Sequence, residues 1–180
     1  VDDEGRLKGT VRGARMFEAQ AVELSAQAGS MVGVTKEERL TTPWATSLMF
    51  RHPWLQLNLL TAFIAAAVVG FFEGTLEKIV LLAVFLPVLA GQSGNTGCQA
   101  LAVTLRGMTL GELKPGGTPA AVAKEAILGF FNGSLVGVSA GAGMFVYAWM
   151  QDNPQAWMLA GVTWLAMVIA CVVSGISGVL

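Results

Sequence analysis

Long stretches without Lys or Arg constrain the fold of this chain more than any other feature. Four apolar windows lie between the eleven Lys and Arg residues, at positions 54–72, 79–105, 126–149 and 156–180. A helix of about 20 residues crosses the hydrocarbon core of a bilayer. Only 13% of the residues are charged, against about 25% in soluble domains. We therefore predict an all-α integral membrane protein, a helical bundle with four spans.

The positive charges also predict an orientation. Seven of the eleven Lys and Arg residues precede Trp54, and Arg106, Lys114 and Lys124 flank or occupy the connection between spans two and three. Loops rich in Lys and Arg stay in the cytoplasm. We expect both ends of the chain to be cytoplasmic, with insertion starting at the first span because residues 1–30 contain no apolar signal core. The net charge of −1 gives no indication of nucleic-acid binding.

The second window contains helix breakers. Pro87 is followed by Gly91, Gly94 and Gly97, which surround Asn95. We predict that this span is broken at membrane depth, where free backbone groups are tolerated only if protein or a watery cavity surrounds them. A broken span is a candidate ion or substrate site. The alternative is that Pro and Gly only kink the helix or let a neighbour pack closely.

The third window carries a packing pattern. Its glycines recur every fourth residue, at Gly129, Gly133, Gly137 and Gly141. This spacing places a groove without side chains along one helix face, so the pattern predicts a tight contact with another helix.

The first fifty residues have a different character. Residues 1–13 alternate around a turn and predict a short hairpin, which is too small to be stable alone and therefore belongs to something larger. Residues 14–50 predict an amphipathic helix to about residue 32 and then a polar linker. At the start of the 51–180 membrane domain, we expect Pro53 in the first turn of a helix and His52 as a headgroup or loop contact rather than a metal ligand.

The chemistry available to the chain is narrow. It has one His, and Cys98 and Cys171 lie in separate spans, so no catalytic set or zinc site is supported, we predict no enzyme activity, and the cysteines are interpreted as packing residues. The polar atoms at depth are mainly amide, hydroxyl and carbonyl oxygens, which suit hard cations. Mg²⁺ holds its waters tightly, so a permeating ion would keep most of its hydration shell.

Three segments resemble the membrane domain of the MgtE family of magnesium channels and transporters. They are the run from Arg51 through Trp54, Leu55, Asn58 and Leu59, then FEGTLEKIV at 72–80, and PVLAGQSGNTGCQALAVTLRGMTLGEL at 87–113. The resemblance covers about residues 51–180. Residues 1–11 are similar to the closing hairpin of a cystathionine-β-synthase-type (CBS) regulatory domain, and the helix after them to the family's connecting plug helix.

The resemblance implies a homodimer in a bacterial inner membrane, with a pore between two copies and Mg²⁺ as both the transported and the regulatory ion. It implies that Gly91 and Gly94 present backbone carbonyls and Asn95 a side-chain oxygen, while Pro87, Gly97 and Gln99 shape the broken helix. Two features depart from the family pattern. The fifth span with its pore carboxylate is absent, with no Asp or Glu inside the predicted spans, and most of the regulatory domains are missing. We therefore expect a fragment of a larger transporter.

Two other functions stay open from the sequence. One is transport of another divalent cation, or cation exchange as in related solute-carrier families. The other is a non-conducting regulatory or assembly subunit, which the glycine face of span three and the missing carboxylate both favour.

Overall fold

Six helices account for the regular secondary structure of the computed structural model, which describes residues 12–112 and 117–180; no strand occurs among these residues. Four of the helices are long and apolar enough to cross a membrane. The predicted all-α architecture with four spans is therefore confirmed. The helices are α1 (Gly13–Ser30), α2 (Trp44–Phe71), α3 (Glu73–Lys78), α4 (Val80–Thr109), α5 (Thr118–Met150) and α6 (Ala156–Ser177).

Two long helices begin earlier than their apolar windows. α2 starts directly after Pro43, whose carbonyl accepts hydrogen bonds from the N–H groups of Thr46 and Ser47. Pro53 consequently lies in the interior of α2, and its predicted place in the first turn is wrong. α5 starts at Thr118, so Glu125 lies inside this helix although the predicted span excluded it. The predicted N-terminal hairpin and its CBS resemblance fall largely on residues 1–11, outside the described part of the chain.

Residues 1–64 form one compact unit, in which the end of α1 meets the start of α2. The chain leaves α1 through a left-handed residue, Gly33, with φ of 73°. The N–H groups of Gly33 and Val34 bond to the carbonyls of Ser30 and Gly29, at 3.2 and 2.9 Å, which is a Schellman cap. In the following linker, the guanidinium of Arg51 in α2 donates to both carboxylate oxygens of Glu38, from Nε to Oε2 and from Nη2 to Oε1.

The second unit, residues 65–180, is built on the contact between α5 and α6. All four glycines of the repeat, Gly129, Gly133, Gly137 and Gly141, are buried in this contact. A Cβ atom added at Gly133 would lie 2.9 Å from the Cα atom of Val168, and one added at Gly141 would lie 3.0 Å from the carbonyl oxygen of Ala160. The helices therefore touch backbone to backbone, and no larger residue fits between them.

The other face of α6 packs on α4, while α4 and α5 contact each other little. Thr96 Oγ1 of α4 lies 3.6 Å from Cys171 Sγ of α6. Near the start of α6, a buried cluster of Met144, Ala148, Ala156 and Leu159 packs against apolar residues that include Phe85 of α4. The small faces of α4 and α5 thus share α6 as their common neighbour.

The predicted break in the second span is wrong, because α4 is continuous from Val80 to Thr109. A glycine costs only about 1 kcal/mol in a helix interior, whereas each unpaired backbone group in a bilayer costs several kcal/mol. Keeping the backbone hydrogen bonds of α4 intact at Gly91 and Gly94 therefore costs less free energy than breaking the helix there. Pro87 has no N–H to donate, so the carbonyl of Ala83 loses its usual partner four residues on.

Candidate functional site

Helix α4 has two faces of different surroundings. Successive residues of an α-helix are rotated by about 100°, so residues four apart share a face and residues two apart lie on opposite faces. Ser93, Gly97 and Ala100 contact α6. Gly91 and Asn95 lie on the opposite face, and Gly94 borders it. We call this second surface the open face of α4, comprising Gly91, Gln92, Gly94, Asn95 and Gln99.

The glycines of α4 differ in what surrounds them. A Cβ atom added at Gly97 would lie 2.7 Å from Ser174 Oγ, so Gly97 is required by packing. A Cβ atom added at Gly91 or Gly94 would meet nothing within 4 Å. These two glycines weaken the helix without serving any contact among the described residues.

Three amide side chains lie along the open face. Gln92, Asn95 and Gln99 are exposed, and their side-chain amides form no hydrogen bond with any described residue. The hydroxyls of the same helix behave differently, because Thr96 and Thr104 donate to carbonyl oxygens of the preceding turn at 3.0 and 2.8 Å. An amide without a partner is costly in hydrocarbon. The open face is therefore built to meet water, an ion or another protein surface rather than lipid.

A polar cleft of about 160 Å³ adjoins this face between α4 and α5. Thr96 and Gln99 line it from α4, and Glu125 and Asn132 line it from α5. A neighbouring cleft of about 130 Å³ shares Glu125 and adds Glu112. Glu125 was missed as a lining residue because the third apolar window begins just after it. Pro119, a residue typical of a helix start, was the signal that the helix begins earlier.

The donor atoms of the open face are oxygens of amides and of the backbone. No group of three or more His, Cys, Asp or Glu side chains that could hold a metal ion occurs among residues 12–112 and 117–180. Cys98 is exposed, Cys171 is buried against α4 and α5, and neither forms a disulfide. His52 is exposed, and its Nε2 atom lies 3.0 Å from Gln56 Nε2 in the same helix. The face can therefore contact a hydrated cation but not strip it of water with charged ligands.

The fold and this face define a multi-pass helical membrane protein with one unpartnered polar surface on its second long helix. A sequence model of the MgtE family, described as a divalent cation transporter, matches residues 86–180, which is more than half of the chain. The chain therefore belongs to the MgtE family.

Three curated relatives are each named magnesium transporter MgtE. The one from Bacillus subtilis is 43% identical over 63 residues, covering 35% of this chain and 14% of the relative. The one from Enterococcus faecalis is 25% identical over 178 residues, covering 99% of this chain and 38% of the relative. The one from Thermus thermophilus is 33% identical over 116 residues, covering 63% of this chain and 26% of the relative. The chain thus spans less than two-fifths of each of these proteins.

Proposed function

We propose that this chain is part of the membrane domain of a transporter that carries Mg²⁺ across the bilayer, with the open face of α4 lining the ion path. The observation that carries the proposal is the pairing of open glycines with unsatisfied amides on one face of a helix. Gly91 and Gly94 leave part of that face without side chains, and Asn95 presents an amide beside them. The family membership and the names of the three relatives support Mg²⁺ as the cargo.

The path is formed between two copies of the chain. A single open face cannot enclose an ion, but two identical faces related by a two-fold axis can, and such dimers are the commonest oligomers. The bare surfaces at Gly91 and Gly94 leave room between the copies for an ion with its waters. This accounts for two glycines that serve no contact within the described protomer.

The ion passes as hydrated Mg²⁺. The Asn95 side-chain oxygen accepts hydrogen bonds from the waters of the ion, and the carbonyls of Gly91 and Gly94 do so through their second lone pairs. α4 stays an intact helix in this arrangement. Because the open face carries no carboxylate, each contact is weak, and a weak site releases the ion as readily as it binds it.

The chain lies in the inner membrane of a bacterial cell with its N-terminus in the cytoplasm. The positive residues before Trp54 and in the connection between α4 and α5 support this orientation. Regulation by Mg²⁺ through a CBS domain stays a prediction, because the residues that carry it lie outside the described part of the chain.

The test uses the full-length protein that contains this chain, expressed in cells that lack their own Mg²⁺ uptake. Asn95→Ala and Gly94→Leu should each lower Mg²⁺-dependent growth and initial uptake by at least about tenfold, a loss of about 1.4 kcal/mol, at unchanged membrane abundance. Gly161→Leu is the matched control, because Gly161 is an equally open glycine on α6, and it should transport normally. Normal uptake by both α4 variants would refute the assigned face.

The oxygen donors of the open face also suit a divalent cation other than Mg²⁺ as the main cargo. Amide oxygens do not discriminate strongly among hard cations. Competition of Mg²⁺ uptake by Co²⁺, Mn²⁺ and Ca²⁺ separates these cases. The glycine repeat of α5 packs against α6 within the same chain. It therefore does not favour the alternative of a non-conducting subunit, which needs a free helix-packing face.

A further inference from the structure

The contact between α4 and α6 is closest at two small residues of α6 and at the glycine that follows its last residue. Cys171, Ser174 and Gly178 recur at helical spacing and all contact α4. A Cβ atom added at Gly178 would lie 2.8 Å from Ala100 Cβ, so this end of the contact admits no larger residue. The contact is therefore tight enough to fix how α4 is rotated about its own axis.

Ser174 donates a hydrogen bond from its side chain to the backbone of α4. Its hydroxyl donates to the backbone carbonyl oxygen of Ser93, one helix away. Serine hydroxyls at membrane depth usually donate to their own helix, as Ser177 does to the carbonyl of Val173 at 2.8 Å. The Ser174 hydroxyl therefore gives α4 a bond that depends on the orientation of one particular carbonyl.

The same side chain also blocks rotation sterically. Ser174 Oγ occupies the space beside Gly97, where even a methyl group would approach it to 2.7 Å. If α4 turned by one residue position, about 100°, a residue with a side chain would have to replace Gly97 at this point. Ser93 and Gly97 therefore form a small recess on α4, which the Ser174 side chain occupies.

We propose that Ser174 is a positioning residue that sets the rotation of α4, so that Asn95 and the open glycines point away from α6 and toward the ion path. Ser93 and Asn95 are two residues apart, so they lie about 200° apart around the helix. A contact that holds Ser93 against α6 therefore keeps Asn95 on the side of α4 that points away from α6. The role assigned to Ser174 depends on the proposed ion path, but its effect on the rotation of α4 does not.

The rotation is measured by cysteine labelling of the full-length protein in proteoliposomes. In a background with Cys98→Ala, which keeps the buried Cys171, one cysteine is introduced at Asn95 or at Ala100. Its reaction with a membrane-impermeant thiol reagent is timed and compared with that of the background protein. Position 95 should react quickly, whereas position 100, which is 1% exposed, should not. Ser174→Ala should lower the ratio of the reaction rate at position 95 to that at position 100 by about three- to twenty-fold. This is the range expected for losing one interhelical hydrogen bond in a membrane.

Two further variants separate positioning from folding. Ser174→Thr retains the hydroxyl and should keep the labelling ratio near that of the parent protein. Ser177→Ala removes a hydroxyl that bonds within α6 and should have no effect. If Ser174→Ala is poorly folded, Ser174→Gly, which also lacks the hydroxyl, replaces it and should lower the ratio in the same direction.

The transport readout is the ratio of Mg²⁺ to Co²⁺ flux, which a loss of folded protein alone would not change. Ser174→Ala should shift this ratio by about threefold or more, and Ser177→Ala should not. An unchanged labelling ratio in Ser174→Ala would overturn the proposal. If the parent protein carries no ion at all, the proposed function fails, while the labelling still decides whether Ser174 sets the rotation of α4.

Discussion

The indole ring of Trp54 covers the bare Cα atom of Gly33 and so joins the left-handed turn that ends α1 to a residue about three turns into α2. Any side chain at Gly33 would overlap this ring. Together with the bond between Arg51 and Glu38, the contact makes the end of α1 and the start of α2 one structural element.

Gly33→Ala should destabilise this element, because it combines a left-handed backbone with a blocked side chain. A strained backbone position of this kind costs about 1–3 kcal/mol. Hydrogen exchange of the amides of residues 29–34 in the full-length protein should accelerate accordingly. Gly13→Ala is the control, since a Cβ atom there meets nothing within 4 Å. Equal exchange in both variants would contradict the assigned contact.

The stability contributed by Glu38 should depend on acid pH. The hydrogen bond from Arg51 lowers the pKa of Glu38 below its ordinary value of 4.5. Its contribution is therefore fully present above pH 4.5 and is lost as the pH falls through the lowered folded-state pKa. Thermal unfolding should show Glu38→Gln to be less stable than the parent protein at pH 7, with the difference shrinking below pH 4.5. A difference that is constant with pH, or that Glu37→Gln reproduces, would argue against this ion pair.

Gly133→Ala should loosen the contact between α5 and α6. The added methyl group would lie 2.9 Å from Val168 Cα and 3.0 Å from Cys171 Cβ, so a helix has to move. Overpacking of this kind costs about 1–3 kcal/mol, which unfolding of the detergent-solubilised protein by a denaturing detergent would measure. Gly161→Ala adds the same methyl group to open space on α6 and should be nearly neutral.

Asn95→Asp should tighten cation binding if the open face lines the ion path. A carboxylate attracts a hydrated divalent cation more strongly than an amide does, and we expect the half-saturating Mg²⁺ concentration to fall by about tenfold. Maximal flux should fall as well, because release becomes slower. Flux measured over a range of Mg²⁺ concentrations in proteoliposomes gives both quantities. An unchanged half-saturating concentration would mean that position 95 does not approach the ion.

The sequence predicted the helical class because gaps between charges report directly on which segments can enter lipid. It misplaced the starts of α2 and α5 because an apolar window marks the part of a helix inside the hydrocarbon, not the helix itself. Pro53 and Glu125 both lie in the helical residues that precede such a window.

The break at Gly91 and Gly94 was mispredicted for an energetic reason. Helix propensity counts each glycine as a cost, but it does not count the larger cost of unpaired backbone in a bilayer. The sequence identified Asn95 and its glycines as unusual. The sequence could not show which side of α4 would be covered. Helical periodicity places Ser93 and Gly97 on one face, but it does not identify the helix that packs against that face.

The glycine repeat of α5 has a mechanical consequence. Backbone atoms of α6 lie against Gly129, Gly133 and Gly141, and the Trp164 ring lies against Gly137, so we expect α5 and α6 to move together. α4 packs along α6 and hardly contacts α5. If the open face lines an ion path, as proposed, that path can widen within this unit only by movement of α4 as a whole relative to α5 and α6, toward the cleft between α4 and α5.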